Sequence, residues 1–180
     1  MDGMAFFGTS LGACGVAWTD RGICGVQLPE ADEAATRTRL GKRFPRAVEL
    51  TPPAEVQQAI DAMVALLAGT PADFRATRLD LSGRPEFDRR VYEAARAIPA
   101  GTTASYGEIA AQLGEPGAAR AVGQSLGANP VPIIIPCHRV LAAGQRTGGF
   151  SAHGGVDTKR RLLEIEGALA AAGLPLFAQS

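Results

Sequence analysis

AARAVGQSLGANPVPIIIPCHRV, residues 118–140, decides how this chain is read. It joins a run of small residues carrying one long cation, Arg120, to an isoleucine-rich segment between prolines that delivers Cys137 and His138. The apolar lead-in predicts a buried, fixed place for the cysteine beside a titratable ring. The thiolate is the nucleophilic form, and a cysteine with a pKa of about 8.5 is only slightly ionised near neutrality, so an adjacent histidine is a credible activator. The competing reading is core packing with His138 in a solvated loop, because cysteine is among the most buried residue types.

On the N-terminal side of this stretch, Ser105-Tyr106-Gly107-Glu108 is a capping box in front of IAAQL and fixes a short helix to about Leu113. Gly114-Glu115-Pro116-Gly117 forces a turn, and the helical pattern resumes until Asn129-Pro130 stops it. Two short helices across a tight turn make a helix-turn-helix candidate. The small residues of the second helix suit either close packing on another helix or entry into a nucleic-acid groove with Arg120 as a probe.

On the C-terminal side, Val156–Gly167 reads as a helix in which Glu166 follows Leu162 by four residues and Leu163 by three. That spacing puts Glu166 on or beside the apolar face, where a carboxylate needs a histidine or arginine partner. Glu164 is expected to face solvent, and Lys159-Arg160-Arg161 reads for the most part as a solvated face.

The remainder sets the frame. With 180 residues, 46% of them hydrophobic and 20% charged, the chain reads as a soluble globular protein. Eighteen basic residues balance eighteen acidic ones, which excludes tight nonspecific binding of a polyanion through a global field and leaves only a local patch for that purpose. Three cysteines make no disulfide framework, the start of the chain lacks a secretory pattern, and no segment is long and apolar enough for a bilayer. A cytoplasmic protein with no membrane partner is expected. GACGVAWTDRGICGVQL, residues 12–28, predicts a β-hairpin whose Cys14 and Cys24 are ordinary strand residues. The two histidines lie far along the chain, so no metal site is expected. Helices are predicted over Asp32–Phe44, Glu55–Leu67 and Glu86–Ala97, the last able to place Phe87, Val91, Tyr92 and Ala95 on one face, with extended pieces near Val48 and Arg78–Leu81. The fold class is therefore α+β, divided into domains over residues 1–84 and 85–180.

With the capping box, the small-residue helix, Asn129-Pro130, IPCHRV and Glu166-Gly167 all in order, the chain resembles the O6-alkylguanine-DNA alkyltransferases, most closely over Ile98–Gly167. The resemblance implies a ribonuclease-H-like N-terminal domain packed on a mainly helical C-terminal domain that carries the helix-turn-helix. It implies that an alkylated guanine, and by extension an O4-alkylthymine, is flipped from duplex DNA and its alkyl group passed once and irreversibly to Cys137. His138 would be the base acting through a water, Glu166 its orienting carboxylate, Asn129 a holder of the turn, and Tyr106 and Ser151 hydroxyl donors to the leaving guanine. Ser151, Val140, Phe150 and Lys159 would face the substrate, the backbone carbonyls of Cys137 and Val140 reading the guanine amine. Arg120 would fill the gap in the base stack, with Ala119, Ala121, Gly123, Gln124, Ser125, Thr103 and Ser105 along the DNA. The partner implied is double-stranded DNA with alkylated bases, met by a monomer with no cofactor and no obligate protein partner.

Two departures stand out: Phe150 where many relatives have tyrosine, and a slightly longer Gly149–Lys159 segment, in which His153 reads as a loop residue. Two other readings are lesion recognition without chemistry, which the cysteine argues against, and a turnover Cys–His hydrolase, whose partners ordinarily come from distant segments.

Overall fold

Asp20 and Arg21 turn the chain between strands β2 (Gly12–Thr19) and β3 (Gly22–Gln27), which pair antiparallel as the alternating pattern predicts. Gly22 sits at φ 136, and a Cβ there would lie 2.5 Å from the carbonyl oxygen of Arg78, so both conformation and space demand glycine. A further strand, β1 (Gly3–Thr9), pairs antiparallel with β2. No alternation or turn signal read from the sequence marks β1 apart from the hairpin. Asp32 caps α1 (Glu33–Arg43) by accepting from the Ala35 backbone N–H at 2.7 Å. Strand β4 (Val48–Glu49) then adds parallel to β1, giving the sheet order β3-β2-β1-β4. Helix α2 (Ala54–Leu67) follows Pro52-Pro53 and buries Val56, Ala59, Ile60, Met63, Leu66 and Leu67, an apolar stripe at helical spacing. The extended piece expected at Arg78–Leu81 is reduced to one bridge between Leu79 and Ile23.

From Pro85 the chain is mainly helical: α3 (Glu86–Arg96), α4 (Tyr106–Gln112), α5 (Ala119–Gly127), α6 (Gly155–Ile165) and α7 (Ala168–Ala171). Two short strands, β5 (Ala104–Ser105) and β6 (Val140–Leu141), pair in parallel. That pairing fixes Tyr106, the first residue of α4, relative to the end of the Cys137–Arg139 3₁₀ turn. Leu141, Leu163, Ala168 and Leu169 form a buried hydrophobic cluster that ties β6 to α6 and α7.

The computed structural model describes residues 2–145 and 151–171. They form a mixed α+β fold of two compact units: Met1–Arg84 with Pro130–Ile134, and Pro85–Asn129 with the described residues from Ile135 onward. The simple division into residues 1–84 and 85–180 is therefore corrected at Pro130–Ile134. The cause is visible in the hydrogen bonds of the first unit. The Pro130 carbonyl accepts from the Val26 backbone N–H at 2.9 Å and from the Arg43 guanidinium at 2.9 Å, while Val131, Ile133 and Ile134 are buried. Ile133 holds φ 75, a left-handed conformation that a β-branched residue keeps only when its surroundings impose it. Among the described residues no helix is long and apolar enough to cross a membrane.

Candidate active site

Cys137 opens a 3₁₀ turn that also carries His138 and Arg139. Its backbone N–H donates to the Ile135 carbonyl at 2.8 Å, and its sulfur accepts from Asn129 Nδ2 at 3.2 Å. The same Asn129 amide donates to the Ile135 carbonyl at 2.8 Å, so one side chain ties the end of α5 to both the lead-in and the thiol. Only 7% of Cys137 is exposed. Burial pushes its thiol pKa up, against the opposing pull of the Asn129 hydrogen bond, the Lys159 charge and the backbone N–H groups of Cys137 and His138. The cysteine is therefore stored as a neutral thiol.

His138 is fully buried, and its Nε2 lies 2.9 Å from Glu166 Oε1. Burial favours the carboxylic acid form of Glu166, but hydrogen bonds from His138 and Arg139 outweigh it and hold its pKa at about 2. An ionised carboxylate only accepts, so Nε2 must carry the ring proton. Nδ1 is then the lone-pair nitrogen, and it is buried with no hydrogen-bond partner among the described residues. Burial pushes the imidazole pKa down more than Glu166 raises it, and the charges of Arg139 and Lys159 add to the fall. The ring is neutral near pH 7 and able to take a proton.

Arg139, which carries no local signal in the sequence, is central here. It is 4% exposed and meets Glu166 with two parallel bonds, Nε to Oε2 at 2.9 Å and NH2 to Oε1 at 2.8 Å. Its third donor group reaches the Ile98 carbonyl at 2.6 Å, and Gly101 N–H donates to Glu166 Oε2 at 3.5 Å. Glu166 thus has both kinds of partner its position called for, a histidine and an arginine.

Lys159 departs from the solvated face expected of its cluster: it is 1% exposed. Its Nζ donates to the Val140 carbonyl at 2.6 Å and to the Tyr106 hydroxyl at 3.5 Å, and burial lowers its pKa to about 8. The donation by Lys159 leaves the Tyr106 O–H to donate onward, and Val140 keeps one carbonyl lone pair. Glu164 is likewise not turned to solvent; its side chain is 13% exposed and pairs with Arg161 at 3.4 Å.

A cleft of about 560 Å³ in this unit is lined by Tyr106, Ala119, Arg120, Gly123, Gln124, Leu126, Gly127, Cys137 and Ser151. Cys137, Tyr106 and Ser151 are thereby brought together with the small-residue face of α5 and its exposed Arg120. Ala121 and Thr103 are half-buried and do not line the cleft. Ser105 is occupied in the predicted capping box, accepting from the Glu108 backbone N–H at 3.1 Å. Phe150 lies outside the described residues, and His153 is exposed in the turn before α6.

Ser125 requires a correction. Grouped by sequence with the DNA-facing residues, it is 4% exposed and points inward, its hydroxyl donating to Asp88 of α3 while the Tyr92 hydroxyl donates to its carbonyl at 3.0 Å. The helical period turns this position, with Val122 and Leu126, to the core. Ser125→Ala is expected to cost about 1–2 kcal/mol by leaving Asp88 short of a donor, measured as a lower urea midpoint at unchanged m-value.

Fold and site together define a mixed α+β protein in which a sheltered cysteine, Cys137, with the neutral imidazole of His138 next to it in the chain, lines a cleft bordered by a small-residue helix. Residues 86–168 match the family model described as "6-O-methylguanine DNA methyltransferase, DNA binding domain". The chain is 47% identical over 134 residues to the methylated-DNA–protein-cysteine methyltransferase of Mycobacterium bovis, an alignment covering 74% of this chain and 79% of that one. It is also similar to the crystal structure of Mycobacterium tuberculosis O6-methylguanine methyltransferase, with a TM-score of 0.73, 36% identity and coverage of 93% and 94%. The Mycobacterium tuberculosis OGT structure in complex with DNA gives a TM-score of 0.72 at 34% identity, with 92% of each chain covered. The chain belongs to the methylated-DNA–protein-cysteine methyltransferase family.

Proposed function

We propose that this protein repairs DNA by taking the alkyl group of O6-alkylguanine onto Cys137. The observation that carries the reading is the set of contacts around Cys137, which lines the cleft: the Asn129 hydrogen bond to its sulfur, and the buried His138 paired with Glu166 next to it in the chain. His138 Nδ1 takes the thiol proton, through a water. The Cys137 sulfur attacks the alkyl carbon, the S–C bond forms as the O–C bond breaks, and the electron pair passes to the guanine oxygen. Tyr106 and Ser151 donate hydrogen bonds to that departing charge. The Val140 carbonyl, steadied by Lys159, and the Cys137 carbonyl accept from the guanine amine. Among the described residues no group of three or more histidine, cysteine or acidic side chains gathers to hold a metal. The product is a stable thioether, and the protein turns over once.

The α4-turn-α5 pair acts as the helix-turn-helix, with α5 in the minor groove and Arg120 entering the base stack as the lesion is flipped out. Flipping costs a few kcal/mol, less for a poorly paired base, which favours damaged sites. Ala119, Gly123 and Gln124 follow the backbone alongside. The crystallised complex of a relative with DNA supports this partner. The first unit, with three antiparallel strands and a fourth strand parallel to β1, supports the ribonuclease-H-like reading and a structural role. The protein acts as a cytoplasmic monomer.

Incubation with a duplex bearing one O6-methylguanine is expected to add one methyl mass to the peptide holding Cys137, with methyl transferred never exceeding protein present. Repeated turnover, or no mass shift on that peptide, would refute the proposal.

A further inference from the structure

The first unit holds a second cleft that the alkyl-transfer reading leaves without a role. It encloses about 480 Å³ between the strand residue Trp18, the end of α1 and the Asp80–Arg84 loop. Four arginines line it, Arg21, Arg43, Arg46 and Arg84, against two aspartates, Asp2 and Asp80. Asp80 is already saturated. It accepts from Thr19 Oγ1 at 2.7 Å, from Arg21 Nε and NH2 at 3.2 and 3.1 Å, and from the Ser82 backbone N–H at 3.1 Å. The Arg21 charge is thereby spent, while among the described residues no carboxylate lies within ion-pair distance of Arg43, Arg46 or Arg84.

Arg43 is also held in place. Its NH1 donates to the Val26 carbonyl at 2.9 Å and to Gln27 Oε1 at 3.0 Å, and its NH2 to the Pro130 carbonyl at 2.9 Å. All three acceptors are neutral. They orient the guanidinium without cancelling its charge. Its environment disfavours the cation, through burial first and then the nearby charges of Arg39 and Arg84. An anion entering the cleft would relieve that repulsion. Arginine forks match the oxygen edge of a phosphate, and a fixed fork loses little freedom on binding.

We propose that this cleft is a binding site for a phosphate-bearing anion, engaged by Arg43, Arg46 and Arg84. The volume exceeds what a single orthophosphate fills, so the chemistry fits a diphosphate group or successive phosphates of a nucleic-acid backbone. Its lining shares no residue with the cleft that holds Cys137, so the site does not depend on the alkyl-transfer reading.

The test uses the full chain and inorganic pyrophosphate as probe, followed by amide chemical shifts. Saturable shifts are expected over residues 43–47 and 82–84, with affinity falling at least about tenfold in Arg46→Ser/Arg84→Ser, a variant that leaves the Arg43 hydrogen bonds intact. Arg43→Lys, which keeps the charge and loses the fork, is expected to weaken binding as well. Absence of saturable shifts at about 10 mM pyrophosphate, or binding that the double variant does not weaken, overturns the proposal. A second arm uses lesion-free duplex DNA. If the natural source is the DNA backbone, the dependence of log affinity on log salt becomes shallower in the double variant by about one to two. An unchanged slope together with lost pyrophosphate affinity assigns the cleft to a small soluble phosphate compound.

Discussion

Glu166→Gln is expected to slow alkyl transfer by about ten- to a hundredfold and to cost about 3–5 kcal/mol of stability. The glutamine keeps the shape but removes the one negative charge that Arg139 and His138 share inside the second unit. Its amide oxygen can still accept from His138, so the ring tautomer survives. What is lost is the carboxylate that makes the imidazole a better proton acceptor, so the pH profile of thiol reactivity toward a small alkylating reagent should move to higher pH. A rate and a profile both equal to the wild type would remove Glu166 from the mechanism. Acid unfolding offers a separate check. The folded pKa of Glu166 is depressed from 4.5 to about 2, so its contribution to stability is complete above the unfolded value and is lost as pH falls from 4.5 toward 2. The glutamine variant lacks that titration and should show a flatter loss of stability across this window.

Arg120→Ala is expected to reduce repair of a paired O6-methylguanine by about a hundredfold, the scale of a base-flipping cost of a few kcal/mol. Reaction with free O6-benzylguanine should change little, because a free base needs no extrusion from a stack. Arg120 is exposed, so stability should stay within about 0.5 kcal/mol of the wild type. Equal losses on both substrates would assign the residue to the chemistry and not to the duplex.

The parts of the site legible in the sequence are those whose signal is local or periodic. The Ser105–Glu108 capping box needs only three residues of spacing, and it is present with both reciprocal bonds. Glu166 was placed on the apolar face by helical arithmetic, and its demand for a partner followed from the cost of burying charge. The alkyltransferase reading itself came from resemblance across a continuous block. Buried cations were not legible: Arg139 and Lys159 look like solvated residues until their acceptors are known, and those acceptors, the Ile98 and Val140 carbonyls and Glu166, come from elsewhere in the fold. Ser125 shows the complementary failure. Its place in a run of small residues suggested a groove, whereas its phase on α5 delivers it to Asp88.

The composition of the first unit bears on what can be inherited or expressed apart. A fragment starting at Pro85 would carry Cys137, His138 and Glu166, yet it would strand Val131, Ile133 and Ile134 in water, residues that are at most 1% exposed in the whole chain. It would also release Ile133 from the surroundings that impose its φ of 75, just ahead of the nucleophile. Five residues from the later half of the sequence belong to the first unit, so cutting the chain where the sequence divides it would not cut the fold where it divides.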